Sequence, residues 1–430
     1  MPTPAPGECP PALTTLPEQA RAWREKVRRF GQESVAPRAR AMDVAGRLDD
    51  GLVKELFDEG LMGIEIPEVY GGSGGDLFQV VLAIEEIARH DPSAAVFVDV
   101  QNALVVSALL RHGSGDQKRR HLPRLAGGQV GAYAISEEHA GSDAFALETR
   151  AERTGDGFVV NGRKRWITSA AEAGLFLVFA RTGEGPSASA SALSAFLVDR
   201  DAPGLTVGEP VPKMGIRASS TCEVTFDDVH VDRGSLIGRP GDGGVLMVET
   251  LDIGKLGIAA QLVGLADGAL THALQHAEER EQFGTRIIDF QGVQFPLART
   301  AAELEAARVL LYNTARLLQG GAPQAERIKA TSMAKYIASA VAERAASQAV
   351  ETLGGAGFAG EHPVEKLYRD AKIGSIYEGT SNVQFKTIAS LLSGRQDGTG
   401  EHASRAHAPS GPSGHARPEH PRNDQAFGKE

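Results

Sequence analysis

Phe158-Val159-Val160-Asn161-Gly162 is the stretch on which the fold reading turns. Three bulky residues, two of them β-branched, favour extended backbone. Asn-Gly suits the positive φ values of a tight hairpin turn. The segment therefore predicts a strand leading into a hairpin. Around it, from about residue 131 to 238, apolar runs shorten and turn signals recur every ten or so residues. Phe176-Leu177-Val178-Phe179, Ala195-Phe196-Leu197-Val198 and the alternation Cys222, Val224, Phe226 read as further strands. The Ser- and Ala-rich stretch from Gly183 to Ala192 reads as a surface loop between two of them. A compact β-sandwich or barrel is the natural product.

Helical periodicity lies on both sides. Leu52, Leu56, Phe57 and Leu61 recur at helical spacing, and residues 79–112 read as two helices broken near Asp91-Pro92. Gly71, Gly72, Gly74 and Gly75 form a loop, with no Lys-Ser/Thr pair after it to suggest a phosphate cradle. Downstream, Ile258, Leu262, Ala266, Leu270 and Leu274 share one helix face, and Leu297, Ala301, Leu304 and Leu311 make another stripe. A third helix ends at Gly354-Gly355. Such stripes form the core of a helical bundle. The expected fold class is α+β multidomain. Its parts are a flexible arm (1–14), an N-terminal helical domain (15–130), a middle β domain (131–240), a C-terminal four-helix bundle (241–394) and a disordered tail (395–430). The tail is Gly, Ser, Pro, His and charge, too polar to offset its ordering entropy. Its His402, His407, His415 and His420 read as solvated.

Composition narrows the function classes. Apolar content of 42% with 23% charge marks an ordinary globular chain, and a net charge of -10 gives nucleic-acid binding no electrostatic support. Cys9 and Cys222 are far apart and no metal-ligand spacing occurs, which points to a reducing compartment and no metal. The apolar runs read as too short to span a bilayer. With neither a signal core nor a transit-peptide composition at the start, the expected location is cytoplasmic.

The chemistry concentrates in Ile376-Tyr377-Glu378-Gly379-Thr380-Ser381. One carboxylate stands between an aromatic residue and a glycine, just before a helix marked by Val383, Ile388 and Leu391. Desolvation there raises the carboxyl pKa toward the range of a general base. Gly379 permits close backbone approach to a ligand, and Thr380, Ser381 and Asn382 can cap the helix or offer N–H groups to a polar cofactor edge.

Several separated motifs carry a resemblance over the first 395 residues. They are Tyr133-Ala134-Ile135-Ser136-Glu137 leading to Ala140-Gly141-Ser142-Asp143, then Trp166-Ile167-Thr168 and Lys213-Met214-Gly215-Ile216-Arg217. Later come Glu279-Arg280-Glu281-Gln282-Phe283-Gly284, Leu353-Gly354-Gly355-Ala356-Gly357-Phe358 and Arg369-Asp370-Ala371-Lys372. Together with the glutamate segment, they make the chain resemble the acyl-CoA dehydrogenase family. Its local wording, including Val100-Gln101-Asn102 and Arg217-Ala218-Ser219-Ser220-Thr221-Cys222, is most similar to the short/branched-chain (2-methylacyl-CoA) type.

The resemblance implies FAD-dependent α,β-dehydrogenation of a short or short-branched acyl-CoA in a homotetramer, with electrons passed to an electron-transfer flavoprotein. Glu378 is implied as catalytic base, its backbone N–H helping to grip the thioester oxygen. In some relatives the base stands on a bundle helix, at the position of Gly254, which cannot take a proton. Implied cofactor contacts are Tyr133, Ile135, Ser136, Ser142, Trp166, Ile167 and Thr168 from the β domain. Arg280, Gln282, Phe283, Gln291, Glu351, Gly354 and Gly355 are implied to hold the FAD of a neighbouring subunit, and Thr380, Ser381 and Asn382 to complete the site. Ser142, Asp252, Lys255, Tyr377 and Gly379 are the implied substrate contacts. Lys255 stands where arginine is usual and gives up bidentate geometry. Gly244 replaces a bulky aromatic, so a wider substrate entrance is expected there. That change and the C-terminal tail motivate an alternative, the same chemistry on a carrier-protein-bound acyl group. An oxidase and a non-dehydrogenase flavoprotein of the same fold are further alternatives.

Overall fold

The computed structural model describes residues 12–183 and 189–393. The predicted arm lies almost wholly outside the described residues, the tail with its histidines does so entirely, and the loop from 183 to 192 does so in part. Seven helices come first: α1 (Glu18–Phe30), α2 (Ala39–Ala45), α3 (Asp50–Asp58), α4 (Leu77–Ala88), α5 (Pro92–Asp99), α6 (Ser107–His112) and α7 (Gly115–Ala126). Their starts are set by side chains. Asp76 and Gln79 form a capping box on α4, Ser114 and Gln117 one on α7, and Asp91 caps α5 with Pro92 in its first turn. A π-helical turn, Val100–Val106, joins α5 to α6, so Pro92–His112 is one rod with a change of pitch.

The strands follow: β1 (Gly131–Ala134), β2 (Arg150–Arg153), β3 (Gly157–Thr168), β4 (Leu175–Arg181), β5 (Leu193–Asp199), β6 (Leu205–Val207), β7 (Thr221–Asp232) and β8 (Leu236–Ile237). They form one sheet in the order β6-β7-β3-β2-β4-β5-β8, with β1 added parallel to β4. The hairpin expected at Asn161-Gly162 is not there. Both residues lie inside β3, at a register shift against β7, and the β2–β3 turn comes earlier, where Thr154 N–H donates to Gly157 O. Asn161 instead bonds Asp228 through its side chain, both ways, at 2.9 and 2.8 Å. Gly162 (φ +151) lies so close to Thr149 that an added Cβ would come 2.8 Å from the Thr149 Cβ.

Then come α8 (Gly243–Glu279), a small hairpin of β9 (Glu281–Gln282) and β10 (Thr285–Arg286), α9 (Gln291–Gln319), α10 (Gln324–Leu353), α11 (Gly355–Phe358), α12 (Pro363–Ala371) and α13 (Ser381–Ser393). α8, α9, α10 and α13 make the four-helix bundle. By length and composition the Pro92–His112 rod and α8 could cross a bilayer, which corrects the expectation of short apolar runs. Their apolar windows are 94% and 89% buried, as in core helices of this protein.

The sheet is covered on both faces, and strand alternation divides it. Tyr133, Leu177, Phe179 and Leu197 join the core shared with both helical regions. Ala132, Ala134, Phe176, Val178 and Phe196 join a second core on the other side. The β1 edge, the rod and α8 therefore converge on one place, and the Glu378 loop closes it.

Candidate active site

α8 supplies the floor. Thr250, Gly254, Gly257 and Gln261 are spaced four, three and four residues apart, so they line one helix face. Each meets a polar group from another element. Thr250 Oγ1 lies 2.8 Å from the Tyr133 hydroxyl of β1. A Cβ on Gly254 would come 2.9 Å from Glu378 Oε2. A Cβ on Gly257 would run into Asp99 Oδ1. Gln261 Oε1 accepts from the Tyr377 hydroxyl. The glycines are absences that let two carboxyls reach the helix surface.

The Glu378 loop is bent into the left-handed region at two successive residues, with φ +49 at Glu378 and +84 at Gly379. A non-glycine residue there costs roughly 1–3 kcal/mol and persists only when its surroundings hold it. Lys335 Nζ, on α10, donates to Gly379 O at 2.8 Å. Gln384 Nε2 donates to Glu378 O at 3.1 Å and to Gly379 O at 2.9 Å. Thr380 Oγ1 accepts from Val383 N–H at 3.3 Å and caps α13. Among the described residues the Glu378 N–H makes no backbone hydrogen bond, and Glu378 Oε2 is buried without a partner. Burial pushes the Glu378 carboxyl up to about 7, with Lys335 and then Lys255 pulling it back. Lys335 is buried and pushed down to about 8, with Glu378 opposing that fall. The arrangement presents a base near neutrality beside a free backbone donor.

Tyr133 is buried against α8, while Ile135 and Ser136 are half-buried at the end of β1. Ser136 O accepts from Arg165 N–H at 2.8 Å, which ties β1 to β3 next to Trp166. β3 slips register between Lys164 and Ile167, and Trp166 adopts φ +64 with the residue 51% exposed. The slip turns the indole out of the sheet, leaving Ile167 buried and Thr168 half-buried. The loop after Ser136 is clamped by Glu137. Its carboxylate accepts from Glu148 N–H, Thr149 N–H, Thr149 Oγ1 and Lys164 Nζ at 2.5, 3.0, 2.6 and 2.8 Å. Ser142 is exposed on that loop. An exposed indole and the half-buried hydroxyls of Ser136 and Thr168 are groups that suit the face and edge of a flavin ring. Tyr133 joins this end of β1 to the floor of the Glu378 pocket through its contact with Thr250.

Asp252 and Lys255 form an ion pair at 3.0 Å, and Thr331 Oγ1 lies 3.5 Å from Asp252 Oδ1. Asp252 also lines a small cavity with Arg111, Glu249, Ile253, Leu318 and Arg327. Arg280, Gln282, Phe283, Gln291, Glu351, Gly354, Gly355 and Asn382 are all exposed in the single chain, and Ser381 is half-buried. Among the described residues the space expected to widen the entrance at Gly244 is filled by Ala190. A Cβ there would come 2.6 Å from Ala190 O, so Gly244 seats the 190–192 turn on α8.

Sequence reasoning missed Asp99, Lys335, Gln261 and Gln384. It read Gly254 only as a place where no base stands. The pair Gly254 and Gly257, three apart in a long helix, is the signal that something packs against that face.

Comparison with known proteins gives a consistent answer. The chain matches the acyl-CoA dehydrogenase N-terminal domain over residues 17–129, the middle domain over 132–229 and the C-terminal domain over 241–392. It is 46% identical over 381 residues to the mitochondrial short/branched chain specific acyl-CoA dehydrogenase of Bos taurus, covering 89% of this chain and 87% of that one. The butyryl-CoA dehydrogenase of Megasphaera elsdenii superposes with a TM-score of 0.85 at 35% identity, over 88% of this chain and 99% of that one. The structure of PigA with FAD and proline superposes with a TM-score of 0.84 at 27% identity, over 89% and 100%.

Proposed function

Since the chain belongs to the acyl-CoA dehydrogenase family and so is an oxidoreductase acting on acyl-CoA, we propose that it dehydrogenates a short, α-branched acyl-CoA at the α,β bond. The Glu378 carboxylate takes the α-proton, and its free backbone N–H donates to the thioester oxygen, where charge develops as that proton leaves. Tyr377 and Gly379 border the acyl group, and Asp252 with Lys255 stands toward the pantetheine. Tyr133, Ile135, Ser136, Ser142, Trp166, Ile167 and Thr168, with Thr380, Ser381 and Asn382, would hold FAD. FAD, when bound, supplies the acceptor for the β-hydride. The observation that carries the reading is the buried, unpartnered Glu378 Oε2, set against α8 at Gly254 and held near neutrality by Lys335 and Lys255. The name of the bovine relative supports the branched substrate, and the FAD named in the PigA structure supports the cofactor.

Anaerobic bleaching of the flavin by a panel of acyl thioesters tests the proposal. 2-Methylbutyryl-CoA is expected to bleach fastest, ahead of longer straight chains and of the same acyl group on a carrier protein. No bleaching by any acyl-CoA would overturn the reading. Reduction of an added electron-transfer flavoprotein, without peroxide formation, is the expected outcome of turnover in air.

A pH dependence follows from the base. Glu378 acts only when ionised, and its pKa is raised to about 7. kcat/KM for 2-methylbutyryl-CoA is therefore expected to rise through a midpoint near 7 and to fall about tenfold per unit below it. A flat profile down to pH 5 would contradict this assignment.

The chain is also proposed to act as a homotetramer. Phe283, Phe358, Phe295 and Leu392 are 98%, 85%, 60% and 69% exposed on the C-terminal elements, apolar side chains of the kind that other copies would cover. Arg280 stands exposed at the end of α8 beside Phe283, and a guanidinium suits a pyrophosphate bound across that interface. Arg280→Ala is expected to loosen FAD and lower the assembly state together. FAD-to-protein absorbance and light scattering after gel filtration measure both; a tight-FAD monomer would count against the arrangement.

A further inference from the structure

Asp99 is a buried carboxyl that the proposed chemistry leaves unused. It ends α5, just where the rod changes pitch, and its residue is 1% exposed. Its Oδ1 has no hydrogen-bond partner among the described residues, and neither does Glu378 Oε2. The two carboxyls rest on Gly257 and Gly254, three residues apart on one face of α8. Side chains at that spacing are neighbours, with about 5–6 Å between their Cβ positions. Asp99 and Glu378 therefore share one notch on α8, and placing two negative charges there is costly.

The surroundings decide which one carries the charge. Lys335 of α10 and Lys255 of α8 act on Glu378, and the Tyr133 hydroxyl of β1 faces it as well. Against Asp99 stand Glu378 and the Tyr377 hydroxyl, and that hydroxyl is committed to Gln261. No cation acts on Asp99 among the described residues. Burial, and after it Glu378, push Asp99 well above the usual carboxylate range.

We propose that Asp99 is a positioning residue that keeps its proton beside Glu378, so that the pair holds a single negative charge and that charge stays on the base. It acts through Glu378 and touches neither of the reacting carbons. The inference rests on Glu378 being the base. Asp99 then behaves as a neutral acid at working pH, and the two groups titrate as a coupled pair.

Infrared titration of the FAD-loaded enzyme in heavy water tests this without turnover. The wild type is expected to retain a protonated carboxyl band above the pH at which Glu378 ionises. Asp99→Asn should abolish that band while FAD stays bound. In Glu378→Gln the Asp99 band should titrate roughly one unit or more lower, because the opposing charge is gone. The acid limb of kcat/KM in Asp99→Asn should stay where it was, since one neutral group replaces another. A band untouched by Asp99→Asn, an Asp99 midpoint unmoved by Glu378→Gln, or an acid limb that drops by about a unit would each overturn the proposal. Should Asp99→Asn not fold, the Glu378→Gln titration decides alone. Failure of the base reading shows separately, as undiminished turnover in Glu378→Gln.

Discussion

Glu378→Gln lowers the rate of flavin bleaching by 2-methylbutyryl-CoA by roughly 10²- to 10⁴-fold, the usual worth of a positioned general base, and leaves FAD in place. Glutamine keeps the length and most of the hydrogen bonding of the side chain but cannot take a proton. The loop should keep its shape, because its anchors are backbone oxygens: Lys335 and Gln384 donate to Gly379 O, and Gln384 also to Glu378 O. The free backbone N–H stays too, so binding survives and the loss falls on the chemical step. Single-turnover bleaching gives that step, and the flavin absorbance per chain checks the cofactor. Near-normal bleaching would move the base elsewhere. No other member of the pocket could easily replace it, because Gly254 has no side chain and Asp99, at the end of α5, packs against the next turn of α8 without an assisting cation.

The helical regions were legible because their signal is local. The Asp91-Pro92 break, the stripe along α8 and the glycine stop after α10 each depend on residues a few positions apart, and the structure places them accordingly, except that Leu274 at the end of the stripe is exposed. The strands at 176–179, 195–198 and 222–226 were legible for the same reason. Asn161-Gly162 was misread because a turn pair and a bulge pair ask for the same backbone freedom. What separates them is the Asp228 side chain and the crowding of Thr149, which lie 67 and 13 residues away. The same holds for the site. The glutamate segment announced itself by its own neighbours. The groups that set its chemistry come from Asp99, Gly257 and Lys335, brought together only by packing of α5, α8 and α10. The buried pair Lys164–Glu137 likewise could not be read from the sequence, because its two residues lie 27 positions apart.

Lys335 carries the second large expectation. Its ammonium is buried, bonded to Gly379 O and close enough to Glu378 to favour the ionised base. Lys335→Met removes that charge at similar length. The sign follows directly. The cation pulls the Glu378 pKa down, so its loss lets burial push the carboxyl above about 7. The midpoint of kcat/KM against pH should therefore move to higher pH, by about one unit if the lost interaction is worth about 1.4 kcal/mol. At pH 7 the rate should fall roughly fivefold, since the ionised fraction drops from about a half to about a tenth, and at pH 9 most of it should return. Lys335→Arg keeps the charge and should keep the midpoint, at whatever cost in packing. The structural half of the role gives a different signature. Gly379 O retains Gln384 as a donor at 2.9 Å, so the left-handed bend loses one of its two holds there. If the bend relaxes, the rate falls at every pH, KM included, and raising the pH does not restore it. A midpoint that stays near 7 in Lys335→Met would mean that Glu378 does not depend on this cation and that its proton affinity is governed by burial.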